Sequence, residues 1–225
     1  MAEVPLPPDA DRAKSYFDAL APEYNRAFGL TGRNPFSAFI NRFFRGPTFA
    51  ERMKRIEALF SRIGIKGARV LDLGCGSGQV SLLAASMGAT VHGIDIAPRM
   101  LAIARETAQR SGLTGPTTFD EGDITAQTLE EADIVLLVGV VEYYKDFEPL
   151  VRRAARATRR HLIIGHTTRV LYRMFLRRIL FAVSGGSVYF HPMADVIAAA
   201  TRDGLVLAEE ERHHGYSILN FERRA

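Results

Sequence analysis

The chain has 225 residues, 47% of them hydrophobic, enough for one large domain with a sizeable buried core, which excludes a disordered or fibrous chain. A formal net charge of +4, from 29 Lys and Arg against 25 Asp and Glu, is far from a histone-like polycation, and a single cysteine excludes an internal disulfide framework. No stretch approaches about 18 uninterrupted apolar residues, and the start of the chain lacks the layout of a secretory leader, so a cytoplasmic protein is expected.

Residues 1–10, with Pro5, Pro7 and Pro8, read as a flexible arm outside the core. From Arg12 to Phe60 the pattern is helical, with apolar residues at Phe36, Phe39, Ile40, Phe43 and Phe44, then at Met53, Ile56, Leu59 and Phe60. Gly46-Pro47 divides those two helices. After Gly67, short apolar runs alternate with helical patterns, as in βαβ units of a parallel sheet covered on both faces. Strands are predicted at Arg69–Leu73, Thr90–Asp95, Thr117–Glu121, Ile134–Val138 and Leu162–Gly165, and helices at Gln79–Ser86, Pro98–Ser111 and Phe147–Thr158. Leu205–Glu211 and Tyr216–Arg223 read as two more strands around His213-His214-Gly215, a tight reversal that makes the last pair antiparallel. With no linker inside 67–225, the expected organisation is a single domain over 11–225. Residues 11–66 form a helical cap on a core over 67–225, which carries a basic helical insertion at about 167–190.

The chemistry concentrates in Val70-Leu71-Asp72-Leu73-Gly74-Cys75-Gly76-Ser77-Gly78, an apolar strand running into a loop with glycine at every second position. Glycines there let the backbone turn sharply and a ligand approach with no Cβ in the way. At the end of the next strand stands Asp95, where a doubly wound fold faces a ribose, and an acid accepts hydrogen bonds from ribose hydroxyls. The dinucleotide fingerprint is G-x-G-x-x-G, whereas Gly74, Gly76 and Gly78 are spaced two and two and follow an acid, Asp72. An acid suits an ammonium or sulfonium better than a pyrophosphate, which points to S-adenosylmethionine.

The segment resembles motif I of class I S-adenosylmethionine-dependent methyltransferases of the small-molecule type, an acidic residue followed by G-x-G-x-G. The resemblance implies a Rossmann-like, doubly wound, mostly parallel α/β sheet of seven strands, with an antiparallel last strand and an N-terminal helical extension. It also implies S-adenosylmethionine as cofactor and S-adenosylhomocysteine as product. Carried over by this resemblance, Asp95 is the ribose acid, Ile96 packs on the adenine, and Gly122-Asp123 with Ile124 holds the adenine edge. Met100, Cys75 and Val138-Gly139-Val140 with Tyr143 line the rest of the cofactor. Tyr16 and Tyr24, in Tyr16-Phe17-Asp18-Ala19-Leu20-Ala21-Pro22-Glu23-Tyr24, resemble the helix that folds over the cofactor. Cys75 reads as a small filler.

On the acceptor side, methyl transfer is an in-line displacement, so a base is needed only when the acceptor must lose a proton. His166 is the first candidate base, delivered by Leu162-Ile163-Ile164-Gly165 to the carboxyl end of a strand. His191, in Tyr189-Phe190-His191-Pro192 before a helix, is the second; His213 and His214 read as solvated, with Tyr216 turned inward. No metal ligands are expected. From Arg152 to Arg178 there are nine arginines and no acid, and Arg169, Arg173 and Arg177 form one stripe of a basic amphipathic helix over 169–181. That helix reads as a lid over an acidic apolar acceptor, a peripheral contact with an anionic membrane surface, or a solvated face.

The block from Tyr143-Tyr144 to His191-Pro192 also resembles magnesium-protoporphyrin O-methyltransferases, whose acceptor is a propionate carboxylate. Phenols, quinone precursors and specialised metabolites fit the same residues. The expected partner is thus a small, hydrophobic acceptor, with O-methylation favoured. A nucleic-acid methyltransferase is the second reading, disfavoured because Gly139-Val140-Val141-Glu142 stands where N-P-P-[YF] would be. A non-catalytic S-adenosylmethionine-binding protein and a nicotinamide dehydrogenase complete the alternatives, the last disfavoured by the glycine spacing and Asp72.

Overall fold

The structure, a computed structural model, describes residues 12–15, 17–18, 21, 46–167, 188–213 and 215–224. Residues 12–15, 17–18 and 21 are helical. Helix α1 (Gly46–Ile63) begins with Pro47 in its first turn and ends at Gly64, whose φ of 67° no β-carbon-bearing residue adopts cheaply. Its Ile56, Leu59 and Phe60, spaced by three and four, form the buried stripe.

Seven strands follow: β1 (Arg69–Leu73), β2 (Thr90–Asp95), β3 (Thr117–Glu121), β4 (Ala132–Val138), β5 (Thr158–Thr167), β6 (Leu205–His213) and β7 (Tyr216–Arg223). Between them lie α2 (Gln79–Ser86), α3 (Pro98–Arg110), a 3₁₀ turn (Val141–Tyr143), α4 (Glu148–Ala157) and α5 (Met193–Thr201). The strand order is β3-β2-β1-β4-β5-β7-β6. Pairs among β1 to β5 are parallel, and β7 runs antiparallel to both β5 and β6. The fold is therefore Rossmann-like and mostly parallel.

Alternation along the strands divides the core into two faces. Leu71, Leu73, Val135, Leu137, Leu162, Ile164, Leu219 and Phe221 pack under α4 and α5, against Leu150, Val151, Val196 and Ala199. Their neighbours Val70, Ile134, Leu136, Ile163 and Ile218 pack on the other side, against Ile56 and Phe60 of α1 and Val80 and Ala84 of α2. No helix among the described residues is long and apolar enough to cross a membrane.

Four predicted strands carry the observed boundaries, and β5 differs most. It begins at Thr158 rather than Leu162 and runs to Thr167. Arg159, Arg160 and His161 fall between the predicted helix and the predicted strand; β5 takes them in, and from His161, opposite Glu222, it pairs with β7. β4 likewise starts two residues earlier, and β6 runs on to His213, which pairs with Tyr216. His213 is half-buried beside Arg55, not solvated, its Nδ1 3.4 Å from a guanidinium nitrogen.

Order along the sheet sets the site. β1 leads next to β2 on one side, while β4, on its other side, leads away to β5. The loops leaving β1 and β4 diverge, and a crevice opens at the carboxyl edge between them. Because Phe221 is fully buried on a strand flanked by two others, Phe221→Ala is expected to cost about 3–5 kcal/mol in urea unfolding, with an unchanged denaturant slope.

Candidate active site

The crevice is built around the loop after β1. Gly74, Gly76 and Gly78 all have positive φ, 71°, 54° and 76°. A β-carbon on Gly74 would lie 2.7 Å from a Val140 methyl, and one on Gly78 would lie 2.8 Å from the Ala104 β-carbon and 3.1 Å from the Phe119 ring. Among the described residues only Met100 Cε comes within reach of a β-carbon at Gly76, at an ordinary contact distance of 3.5 Å. The amides of Gly74 and Cys75 both donate to the Ile94 carbonyl, at 2.8 and 3.1 Å, which ties the loop to β2.

Three carboxylates stand around the loop. Asp72 is 2% exposed and its Oδ2 accepts from the Ser81 hydroxyl on α2 at 2.5 Å. Burial first, and then the neighbouring Asp95 charge, pushes its carboxyl up to about 7, against the pull of Ser81. Asp95, on β2, accepts from the amides of Gly76 at 2.7 Å and Ala97 at 2.8 Å, one on each oxygen. Each oxygen keeps a lone pair for a further donor such as a ribose hydroxyl. Burial raises its pKa also, opposed by those amides. Asp123, beyond β3, uses Oδ1 to accept from the amide and hydroxyl of Thr125, at 2.8 and 2.7 Å, while its buried Oδ2 has no hydrogen-bond partner. A buried carboxylate oxygen left this way is costly, and an exocyclic amino group would satisfy it.

Cys75 lies beside the loop with its thiol pushed well up, chiefly by burial. It is a neutral filler, not a nucleophile. Ile96 is half-buried at the β2 exit, and Met100 is 2% exposed on α3. Ile124 is 4% exposed within the core under α4, so its side chain packs inward. Gly122 is half-buried, and a β-carbon there would collide with the Gln127 side chain. Tyr16 and Tyr24 lie outside the described residues, as do His214 and the basic helix 169–181. Phe17 is described, and its ring meets Tyr143 edge to face, centroids 5.0 Å apart. Ala21 packs with Ala97, Met100 and Ile103, so this helical stretch bridges α3 and the β4 exit.

On the β4 side, Val138 pairs with Gly165, and the Gly139 amide donates to the Gly165 carbonyl at 3.1 Å. That register sets His166 level with Gly139. His166 is 1% exposed, with Nε2 3.0 Å from the His191 carbonyl and Nδ1 buried without a hydrogen-bond partner. Burial lowers its pKa, so the ring is neutral near pH 7. His191 lies above it, with Nε2 2.9 Å from the Tyr144 carbonyl and its ring 4.2 Å, centroid to centroid, from that of Phe147.

Sequence reasoning missed Ser81, Arg52 and Glu142. Glu142 is 3% exposed in the 3₁₀ turn; an acid inside Val140-Val141-Glu142-Tyr143-Tyr144 was the available signal. Arg52 reaches in from α1, its guanidinium carbon 5.2 Å from the Tyr216 ring centre and one nitrogen 3.7 Å from where a Gly139 β-carbon would stand. No local pattern announces that distant arrival. Tyr216 is 7% exposed, and its hydroxyl occupies the space a side chain at Gly165 would need.

Residues 71–163 match the family model described as a methyltransferase domain. The chain is 32% identical over 126 residues to a ubiquinone biosynthesis O-methyltransferase of Xanthomonas euvesicatoria, covering 53% of each, and 40% identical over 102 residues to that of Cereibacter sphaeroides, covering 41% of this chain and 40% of the other. It spans about half the length, or less, of these curated relatives. In structure it is similar to magnesium protoporphyrin IX methyltransferase from Synechocystis with bound S-adenosylhomocysteine, with a TM-score of 0.77, 24% identity, and coverage of 94% of this chain and 98% of that one. It is also similar to the [4+2]-cyclase SpnF, with a TM-score of 0.71 and 15% identity over the whole of both chains. These two likenesses establish the fold.

A carboxyl whose folded pKa lies above its unfolded value stabilises the protein below the unfolded pKa and loses that contribution as pH rises through the folded one. For Asp72 the window runs from about 4 to about 7. Asp72→Asn is therefore expected to flatten the fall in unfolding free energy across that range, measured by urea titration of the unliganded protein at several pH values.

Proposed function

We propose that this chain, whose residues 71–163 match a methyltransferase-domain model, is a class I S-adenosylmethionine-dependent methyltransferase that transfers a methyl group from that cofactor to an oxygen of a small, largely apolar acceptor. The observation that carries the proposal is the set of Asp72, Asp95 and Asp123 at the ends of three parallel strands around a loop whose three glycines all have positive φ. The curated relatives named as ubiquinone biosynthesis O-methyltransferases support oxygen as the target atom.

The residues fit the cofactor part by part. Asp95 would accept from the ribose hydroxyls, the free Oδ2 of Asp123 from the adenine amino group, and Gly76, with no β-carbon, would let the ligand approach the backbone. Asp72 lies beneath, where its charge favours a cation on the far side of the loop. When bound, the cofactor supplies an electrophilic methyl group on a sulfonium, and transfer leaves a neutral thioether.

For a hydroxyl acceptor, the chain must take one proton. His166 is placed for that, neutral and with Nδ1 uncommitted. His166 Nδ1 would take the O–H proton as the acceptor oxygen receives the methyl group that a bound cofactor would supply. A carboxylate acceptor is the second reading, favoured by the Arg52 guanidinium at the Gly139 end of the crevice. It needs no base.

Calorimetric titration is expected to show binding of S-adenosylmethionine and S-adenosylhomocysteine and none of NAD; the reverse would overturn the proposal. Asp95→Ala is expected to weaken cofactor binding by about 1–3 kcal/mol. With a hydroxyl acceptor, His166→Gln is expected to lower kcat roughly 10²–10⁴-fold while cofactor affinity holds. An unchanged kcat would select the carboxylate reading.

A further inference from the structure

We propose that His191 is a positioning residue for His166, fixing through its own backbone carbonyl which nitrogen of the His166 ring can receive a proton. The inference rests on the reading of His166 as proton acceptor and supplies what that reading lacks, a cause for the tautomer.

Two hydrogen bonds pin residues 189–191 onto the turn that leaves β4, and a third joins them to β5. The Tyr189 amide donates to the Glu142 carbonyl at 2.7 Å, the His191 ring donates from Nε2 to the Tyr144 carbonyl at 2.9 Å, and the His191 carbonyl lies 3.0 Å from Nε2 of His166. A carbonyl can only accept, so each of the two rings must carry its proton on Nε2. The lone pair of His166 is thereby left on Nδ1, the buried atom that has no hydrogen-bond partner.

The acceptor carbonyl belongs to no regular strand or helix. It lies in the extended stretch before α5, and nothing in the β5 ladder would hold it over His166. What holds it is the His191 side chain, clamped by Tyr144 on one side and the Phe147 ring on the other. The ionisable groups that face His166 are Glu142, from the 3₁₀ turn, which favours its charged form, and His191, which opposes it. From β7 the directly paired residue is Ser217, which does not ionise.

His191 thus acts on the reaction without touching the acceptor. A neutral imidazole free to choose would populate both tautomers, and in one of them Nδ1 carries a proton and cannot accept another. Fixing Nε2–H keeps every molecule competent.

The test uses the full chain labelled with ¹⁵N-histidine, read by long-range ¹H–¹⁵N correlation, which reports each tautomer without any turnover. His166 in the unmodified protein is expected as a single Nε2–H form; an Nδ1–H form would overturn the proposal outright. His191→Phe keeps a ring against Phe147 and removes the donor to Tyr144, and is expected to give a tautomer mixture. It should also lower kcat roughly tenfold, a part of what positioned proton transfer supplies, with cofactor affinity unchanged. His191→Gln, which restores a donor, should recover the single tautomer and most of kcat. If His191→Phe leaves the His166 spectrum as it was, the positioning role is wrong whatever the activity shows. Loss of S-adenosylmethionine binding in the unmodified protein would instead sink the functional reading and leave the tautomer result standing.

Discussion

Everything at the crevice depends on backbone that only glycine adopts readily. Three residues of the β1 loop sit in the left-handed region, and at two of them a side chain would also strike a neighbour, Val140 from the β4 exit at Gly74 and Ala104 with Phe119 at Gly78. The loop therefore does two jobs with one residue type. Inside, it lets three secondary-structure elements close up beneath it; at Gly76 it leaves peptide that carries no side chain. Tethering to the Ile94 carbonyl and the Asp95 carboxylate then makes the conformation a property of β1 and β2 together.

That closeness brings charge where water cannot follow. Asp72 and Asp95 are both nearly buried and each raises the other's proton affinity or that of Cys75. One hydroxyl and two amides offset part of the cost, and the rest remains in the unliganded protein as a site that favours positive charge. On the other flank two imidazoles do the joining, with His166 and His191 strung between backbone carbonyls.

The βαβ core was legible because periodicity reports directly on burial. β1, β2, β3 and β7 have their predicted boundaries. The start of β5 was not legible, because Arg159 and Arg160 carry no apolar alternation and the ladder with β7 begins only at His161. The same reasoning separates the site residues. Gly74 to Gly78, Asp95 and Asp123 are announced by local pattern. Arg52 and the His191 carbonyl are not, because a distant side chain and a backbone atom leave no mark in a sequence read one segment at a time. Ile124 shows the converse: adjacency to Asp123 does not say which way a side chain points, and it turns into the core.

The placement of β7 between β5 and β6 has a consequence for how the chain emerges from a ribosome. β5 is complete at Thr167, yet the strand that covers its free edge is made only after residues 168–215, β6 included. Through that interval the parallel half of the sheet can form with β5 as a raw edge, a template for pairing with another nascent chain. β6 does not relieve it, since among the described residues its ladder is with β7 alone. Arg159 and Arg160, both exposed at the start of β5, stand just before the residues that β7 pairs. Positive charge beside a raw edge opposes pairing with another nascent chain during synthesis.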